Sequence, residues 1–143
     1  YNTTMNLVEQ SSDFFKNYLR CFKNSIKPFN LTQSQALCLI SIPFDGTSQT
    51  NLSKRLAIKI STLSRNLNHL IKMNLIIKER SQSDIRSYII QLTPQGKELY
   101  QKVNDNINNN FHKIFSKLNM EDKDLIVDIL NKINWQFELE YNE

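Results

Sequence analysis

Two short apolar stripes, almost touching in sequence, limit most sharply what this chain can fold into. Leu52 and Leu56 stand four residues apart, and after a break at Ala57 to Lys59 the residues Leu63, Leu67, Leu70 and Ile71 fall at i, i+4, i+7 and i+8. That spacing predicts two amphipathic helices in tight succession, the second turning Ser61, Thr62, Ser64, Arg65, Asn68, His69 and Lys72 outward. A hydrogen-bonding, cationic face then lies opposite a stripe that must be buried.

The flanking sequence predicts more helix and one hairpin. Leu7, Phe14, Phe15, Tyr18, Leu19, Phe22 and Ile26 form one stripe on a long first helix that Pro28 ends. Thr32 and Gln35 make a capping box for a second helix running to about Ile42. Pro43 to Thr47, with Gly46, reads as a turn, and Ser48 can cap the short helix through Leu52 and Leu56. Asn74 suits a left-handed helix end, and Leu75-Ile76-Ile77 and Tyr88-Ile89-Ile90 read as strands joined by the polar loop SQSDIR. Thr93-Pro94 opens a long helix carrying Leu99, Val103, Ile107, Phe111, Phe115 and Leu118, whose Asn-rich stretch from Asn104 to Asn110 reads as a polar face. A last helix begins near Asn119, with Glu121 and Asp122 at its positive end and Leu125, Ile126, Ile129, Leu130, Ile133 and Phe137 on one side. The expected order is α-α-α-α-β-β-α-α, mainly α with a small β-hairpin.

Charge is concentrated where the helix pair and hairpin meet. Between Lys54 and Arg86 lie Lys54, Arg55, Lys59, Arg65, Lys72, Lys78, Arg80 and Arg86 against Glu79 and Asp84, a balance of +6 within a chain of net +4. The rest is slightly acidic, so one region is set to meet phosphate. A solvated charged face is the alternative at this point. The 143 residues suffice for one domain with a real core, or one domain plus helices lent to a partner.

Other function classes lack their signatures. Only two glycines, Gly46 and Gly96, are present, too few for a Walker loop or a dinucleotide fingerprint, and no HExxH, GxSxG or CxxC pattern occurs. No enzyme activity, cofactor or metal site is expected. His69 and His112 lie in different expected helices without ligand-spaced partners. Cys21 and Cys38 match neither a zinc motif nor a disulfide framework and are expected to be reduced. No apolar run approaches the roughly 18 residues that span a bilayer. The start, YNTTMNLVEQ, lacks the order of a secretion signal, so a cytoplasmic location is expected, and the missing initiator Met suggests trimming.

A helix pair whose second member presents Ser, Thr, Arg and Asn, followed by a basic hairpin, makes a coherent DNA-reading unit. A major groove about 12 Å wide admits one helix, in which Arg suits guanine and Asn suits adenine. A hairpin beside it reaches the minor groove, where Arg86 meets the negative potential of narrow A·T-rich sequence. The helix pattern alone is also satisfied by a plain helical pair with a solvated face.

The segment LSKRLAIKISTLSRNLNHLIKMNLIIKER, followed by SDIRSYIIQLTPQG, resembles the winged helix-turn-helix of the MarR family of transcription regulators. The most specific positions are Asp84-x-Arg86, then Ile90-x-Leu92-Thr93-x-x-Gly96, and the flanking helices match the family order, including LTQSQ at the second helix. The resemblance implies a winged helix-turn-helix over residues 31–96, a dimerisation helix over 1–30 and dimerisation helices over 97–143, all in one compact chain. It also implies a homodimer on a pseudo-palindromic duplex operator and a recognition helix near Ser61 to Met73. Ser61, Thr62, Ser64, Arg65 and Asn68 would enter the major groove, Arg86 would sit at the wing tip with Asp84 orienting it, and Lys72 and Arg80 complete the expected DNA-binding set. The function implied is a transcription regulator, expected to be a repressor, released from DNA by a small lipophilic or phenolic effector.

Two positions depart from the family pattern, and two alternatives accompany it. Lys59-Ile60 stands where relatives carry a capping residue, so the recognition helix is expected to start later with Ser61 as its cap. Ala57 replaces the turn glycine, at little cost if its φ is negative and more if it is left-handed. Some relatives sense oxidants through a first-helix cysteine; Cys21 lacks their aromatic framing, and a passive thiol is the preferred reading. Cys38, within ALCLI, reads as a small core residue. Trp135 and the first-helix aromatics read as dimer core rather than a ligand box. A winged-helix module that binds protein instead of DNA would need an apolar or acidic recognition face.

Overall fold

The computed structural model describes residues 3–84 and 86–141; Tyr1, Asn2, Ile85 in the expected SQSDIR loop, Asn142 and Glu143 lie outside them. The elements are α1 (Thr3–Ile26), a 3-10 turn (Lys27–Phe29), α2 (Gln33–Ile40), β1 (Thr47–Ser48), α3 (Gln49–Leu56), α4 (Ile60–Lys72), β2 (Ile76–Arg80), β3 (Tyr88–Leu92), α5 (Pro94–Phe115) and α6 (Met120–Tyr141). This is the mainly helical, winged arrangement that the sequence predicts. The chain divides into two compact units, Tyr1–Asn108 and Asn109–Glu143.

The helix boundaries follow from local chemistry. Pro28 sits in the 3-10 turn after α1, and Asn30 closes it at φ 54°. The capping box of α2 is complete: Gln35 N donates to Thr32 Oγ1 and Thr32 N donates to Gln35 Oε1, each at 3.1 Å. α2 stops at Ile40, two residues before the expected end, because Ile42 precedes Pro43 and the proline ring disfavours helical backbone at the residue before it. Ser48 caps α3 by accepting from Asn51 N at 3.0 Å. Asn119 likewise caps α6 by accepting from Asp122 N at 2.8 Å.

Two departures from the sequence expectation, and the answer to the conformation it leaves open at Ala57, cluster around the helix pair. The sheet has a third strand: β1, only two residues long, pairs antiparallel with β3 through Thr47↔Ile90 and Ser48↔Ile89, giving the order β1-β3-β2. Two polar residues carry no alternation that a sequence reading can detect. Ser61 is not the cap of α4; the helix begins at Ile60 behind Lys59, whose side chain makes no cap bond, and Ser61 lies exposed within its first turn. Ala57 is left-handed, at φ 53° and ψ 43°, and ends α3 with bonds from Ala57 N to Lys54 O and from Ile58 N to Ser53 O, both 3.1 Å. An alanine there carries the Cβ clash that glycine avoids. Ala57→Gly is therefore expected to stabilise the protein by about 0.5–1 kcal/mol in urea unfolding, part of the relief being offset by glycine's unfolded-state entropy; a destabilised variant would contradict the left-handed turn.

The core of the first unit is aliphatic. Leu39 and Ile42, Leu52 from α3, Leu63, Leu67 and Leu70 from α4, and Ile76 and Ile90 from the hairpin are fully buried, each contributing about 1.5–3 kcal/mol of transfer free energy. α1 buries only its last turns, through Cys21, Phe22, Ser25 and Ile26, and Asn106 of α5 donates from its side-chain amide to Ser25 O. α6 has no buried residue, and Leu125, Ile129, Trp135 and Phe137 are 52, 52, 57 and 57% exposed. Met5, Leu7, Val8, Phe14 and Phe15 of α1 are exposed as well. Among the described residues, no helix is long and apolar enough to cross a membrane.

Candidate nucleic-acid interface

The expected recognition face is built by α4 lying inward on its leucines. With Leu63, Leu67 and Leu70 completely buried, Ser61, Thr62, Arg65, Asn68 and Lys72 are exposed, as is His69. Lys72 and His69 occupy the last turn of α4, where a cation favours the helix dipole. Ser64 is placed differently, half-buried, and its Oγ accepts from Gln49 Nε2 at 2.7 Å. Gln49 is buried in the first turn of α3, so this bond ties the start of one helix to the middle of the next. A hydrogen-bonded buried amide sets the α3–α4 geometry more sharply than apolar packing alone. Sequence reading passed over Gln49 because a glutamine after a capping serine looks like ordinary helix surface.

The C-terminal end of α4 is latched to the start of α5. Asn74 is left-handed at φ 61°, and Leu75 N returns to Leu70 O at 3.0 Å. Thr93 then bonds both residues of the turn: its Oγ1 donates to Asn74 O at 2.8 Å, and its N donates to Leu75 O at 3.0 Å. Asn74 Nδ2 donates to Gln95 Oε1 at 2.8 Å, while Thr93 Oγ1 also accepts Gly96 N at 2.9 Å. The Leu-Thr-x-x-Gly pattern thus docks α5 on the exit of α4.

The wing is shaped by side chains bonding to backbone. β2 and β3 are antiparallel with Arg80 opposite Tyr88. Buried Ser81 accepts from Ser83 N and Asp84 N, both at 3.3 Å, and Ser81 N donates to Ser87 O at 3.0 Å. Asp84 Oδ1 accepts from the backbone N–H of Arg86 at 3.0 Å, and Asp84 O accepts from Ser87 N at 3.1 Å. Asp84 therefore holds the turn through the Arg86 amide, an Asx-type contact, and the Arg86 residue is exposed. Arg80 and Lys78 lie over the Tyr88 ring, with Arg80 Cζ 5.5 Å and Lys78 Nζ 4.4 Å from its centroid. Neither Lys78 nor Tyr88 was among the expected site residues; only the strand register shows that they meet.

Neither thiol is open to solvent. Cys21 and Cys38 are both buried and unpaired by disulfide, and burial pushes the Cys38 thiol up to about 12, so it stays protonated at neutral pH.

Comparison with known proteins decides which of the helix-turn-helix groups this geometry represents. Residues 20–103, which span α2, the helix pair and the wing, match the family described as Transcriptional regulator SarA/Rot. The chain belongs to the SarA/Rot family of transcriptional regulators. It is 28% identical over 123 residues to an HTH-type transcriptional regulator of Staphylococcus aureus strain Mu50, covering 84% of each chain. It is 27% identical over 124 residues to the HTH-type transcriptional regulator SarZ of Staphylococcus epidermidis, covering 86% of this chain and 83% of SarZ. This SarA/Rot protein is accordingly a DNA-binding transcription regulator of the helix-turn-helix type.

The same fold recurs in solved MarR structures. AbsC, a MarR family regulator from Streptomyces coelicolor, superposes with a TM-score of 0.81 at 20% identity, covering 96% of this chain and 97% of AbsC. A cysteine-to-serine mutant of MarR from E. coli complexed with operator DNA gives a TM-score of 0.79 at 18% identity, covering 92% and 96%. The resemblance to the MarR family in the sequence thus holds at the level of fold.

Proposed function

We propose that this SarA/Rot protein binds a near-palindromic duplex operator as a homodimer, with α4 in the major groove and the wing in the adjacent minor groove. The observation that carries the reading is the split character of α4: three leucines completely buried, and Ser61, Thr62, Arg65, Asn68 and Lys72 all outward. An exposed helix of this polarity next to a cationic hairpin matches the groove and the phosphates that flank it. The operator complex of the MarR mutant, on the same fold, supports the placement. In this arrangement Arg65 and Asn68 read base edges, Arg86 enters the minor groove, and Lys72 and Arg80 contact backbone. Ser64 is already engaged, its oxygen accepting from Gln49, and keeps its hydroxyl proton and one lone pair for DNA.

The exposed apolar residues of α1 and α6 supply the second half of the proposal. Leu125, Ile129, Leu130, Ile133 and Phe137 recur at helical spacing on α6 and are all exposed in the single chain, an arrangement that soluble monomers avoid and that a second copy would cover. A two-fold dimer places its α4 helices on half-sites about one helical turn apart. The chain's part is then binding and release of DNA, with no catalytic step.

Selection of duplexes from a random pool tests this reading. Enrichment of an inverted repeat with half-site centres about 10 base pairs apart is expected. Arg65→Ala is expected to lose about 1–3 kcal/mol of affinity and to relax preference at one position of each half-site. Enrichment of no duplex, or of one that the variant binds with unchanged affinity and preference, would remove α4 as the reading element and bring forward a protein-binding role for the winged helix.

A further inference from the structure

Gln49, the first residue of α3, is only 8% exposed, and an amide taken out of water needs a partner inside the fold. Its partner stands on the next helix: Gln49 Nε2 donates to Ser64 Oγ at 2.7 Å. Ser64 itself is half-buried in α4, with exposed Ser61 three residues before it and exposed Asn68 four residues after it, spacings that put all three on one side of the helix. A buried side chain of α3 therefore grips a hydroxyl at the margin of the face that is turned to DNA in the proposed complex.

A serine left to itself turns among staggered rotamers and either donates or accepts, so it discriminates poorly between base edges. The bond from Gln49 selects one rotamer, because the others leave a buried amide unpaired. We propose that Gln49 is a positioning residue for sequence reading: through Ser64 it makes α4 discriminate at one further base of each half-site, without touching DNA itself. The inference rests on the DNA reading above and adds Gln49 to it. The polarity of the bond also sets what Ser64 can read. Beside an amide donor, Ser64 keeps its proton and one lone pair for a base. Beside a carboxylate its proton would be taken and only lone pairs would remain, which suit the edges that donate, N4 of cytosine and N6 of adenine.

The test is fluorescence anisotropy of the duplex that wild-type protein selects, competed by duplexes carrying each other base pair at every half-site position. Ser64→Ala is expected to flatten discrimination about 3- to 10-fold at one position of each half-site. Gln49→Leu, which removes no group from the exposed face, is expected to flatten it at that same position, and the double variant no further than Ser64→Ala alone, because the pair acts as a unit. Gln49→Glu is expected to shift preference there by a similar factor toward cytosine or adenine. A Gln49 that only ties α3 to α4 would lower the urea midpoint of Gln49→Leu and weaken all duplexes alike, with every base preference as in wild type, which overturns the proposal. Should Gln49→Leu not fold, Ser64→Ala and Gln49→Glu decide: altered preference at one shared position supports the proposal, and unaltered preference in either overturns it. If Arg65→Ala is weakened in the same series, the DNA reading survives that failure. Selection of no duplex by wild type overturns both.

Discussion

Gly96→Ala is expected to cost about 3–5 kcal/mol, most of the stability of a chain this size, and to leave little folded protein at 37 °C. A Cβ built at Gly96 would stand 1.9 Å from Leu75 O and 2.9 Å from Leu75 C. Both atoms are backbone, and Leu75 O is already fixed as the acceptor of Thr93 N, so no side chain can rotate away. Relief requires α5 to lift from the turn that ends α4, breaking the bonds of Thr93 to Asn74 O and Leu75 O. The glycine at position 46 is a different case. Its φ is +89°, and an added Cβ would meet the flexible Gln91 side chain at 2.9 Å, so part of the strain there can be relieved by Gln91 moving. Urea unfolding followed by circular dichroism checks the prediction, at fixed concentration because assembly contributes to apparent stability. Gly96→Ala within about 1 kcal/mol of wild type would show that α5 does not approach Leu75 this closely.

The double substitution Ile129→Glu and Ile133→Glu is expected to convert a dimer into a monomer and to reduce operator affinity by at least about 100-fold. Both residues are exposed in the single chain, in the same stripe as Leu125, Leu130 and Phe137. Four carboxylates in a two-fold interface would each need desolvation without a partner. Affinity falls with them because a dimer gains its second half-site as an intramolecular event, and a monomer forfeits that advantage of roughly 10²–10⁴. Light scattering should read twice the 16.9 kDa chain mass for wild type and once that mass for the variant. Since α6 buries nothing within its own chain, the helix pair and wing should keep their unfolding transition. A variant that stays dimeric would move the assembly surface away from α6.

The sequence disclosed the elements whose signals are local and periodic. The stripes Leu52, Leu56 and Leu63, Leu67, Leu70, the capping box at Thr32 and Gln35, and the caps at Ser48 and Thr93 each follow from residues at most a few positions apart. Long-range arrangements were out of reach. β1 exists only because Thr47 and Ser48 meet β3 some forty residues later, and its two residues carry no period. The start of α4 was misjudged because Ser61 looked like a cap, whereas the chain begins that helix behind uncapped Lys59. Ala57 shows that a residue's usual preference does not settle its backbone: the turn between α3 and α4 adopts the left-handed region, and burial of Leu52, Leu63 and Leu67 on the two helices it joins outweighs a local cost of about 1–2 kcal/mol.

The candidate site divides along the same line. Outward Ser61, Thr62, Arg65, Asn68 and Lys72 were legible because helix period fixes their face once the leucines are known. The role of Ser64 was not, because it depends on Gln49 fifteen residues earlier. Asp84 is expected to orient Arg86; the bond present joins its carboxylate to the Arg86 backbone N–H, a contact that needs the folded turn to be seen. Lys78 and Tyr88 needed the strand register, which no single-strand pattern supplies.

The central claim is that α4 and the wing together hold duplex DNA, and one measurement addresses it most directly. Fluorescence anisotropy of a labelled duplex from upstream of the protein's own coding sequence, with unlabelled competitor at two salt concentrations, compares wild type with Arg86→Ala. The account predicts salt-sensitive binding by a dimeric wild type, and clear weakening on loss of the wing-tip arginine. Absence of binding at low salt to this and to a mixed-sequence duplex, or an Arg86→Ala protein indistinguishable from wild type at both salts, would contradict it.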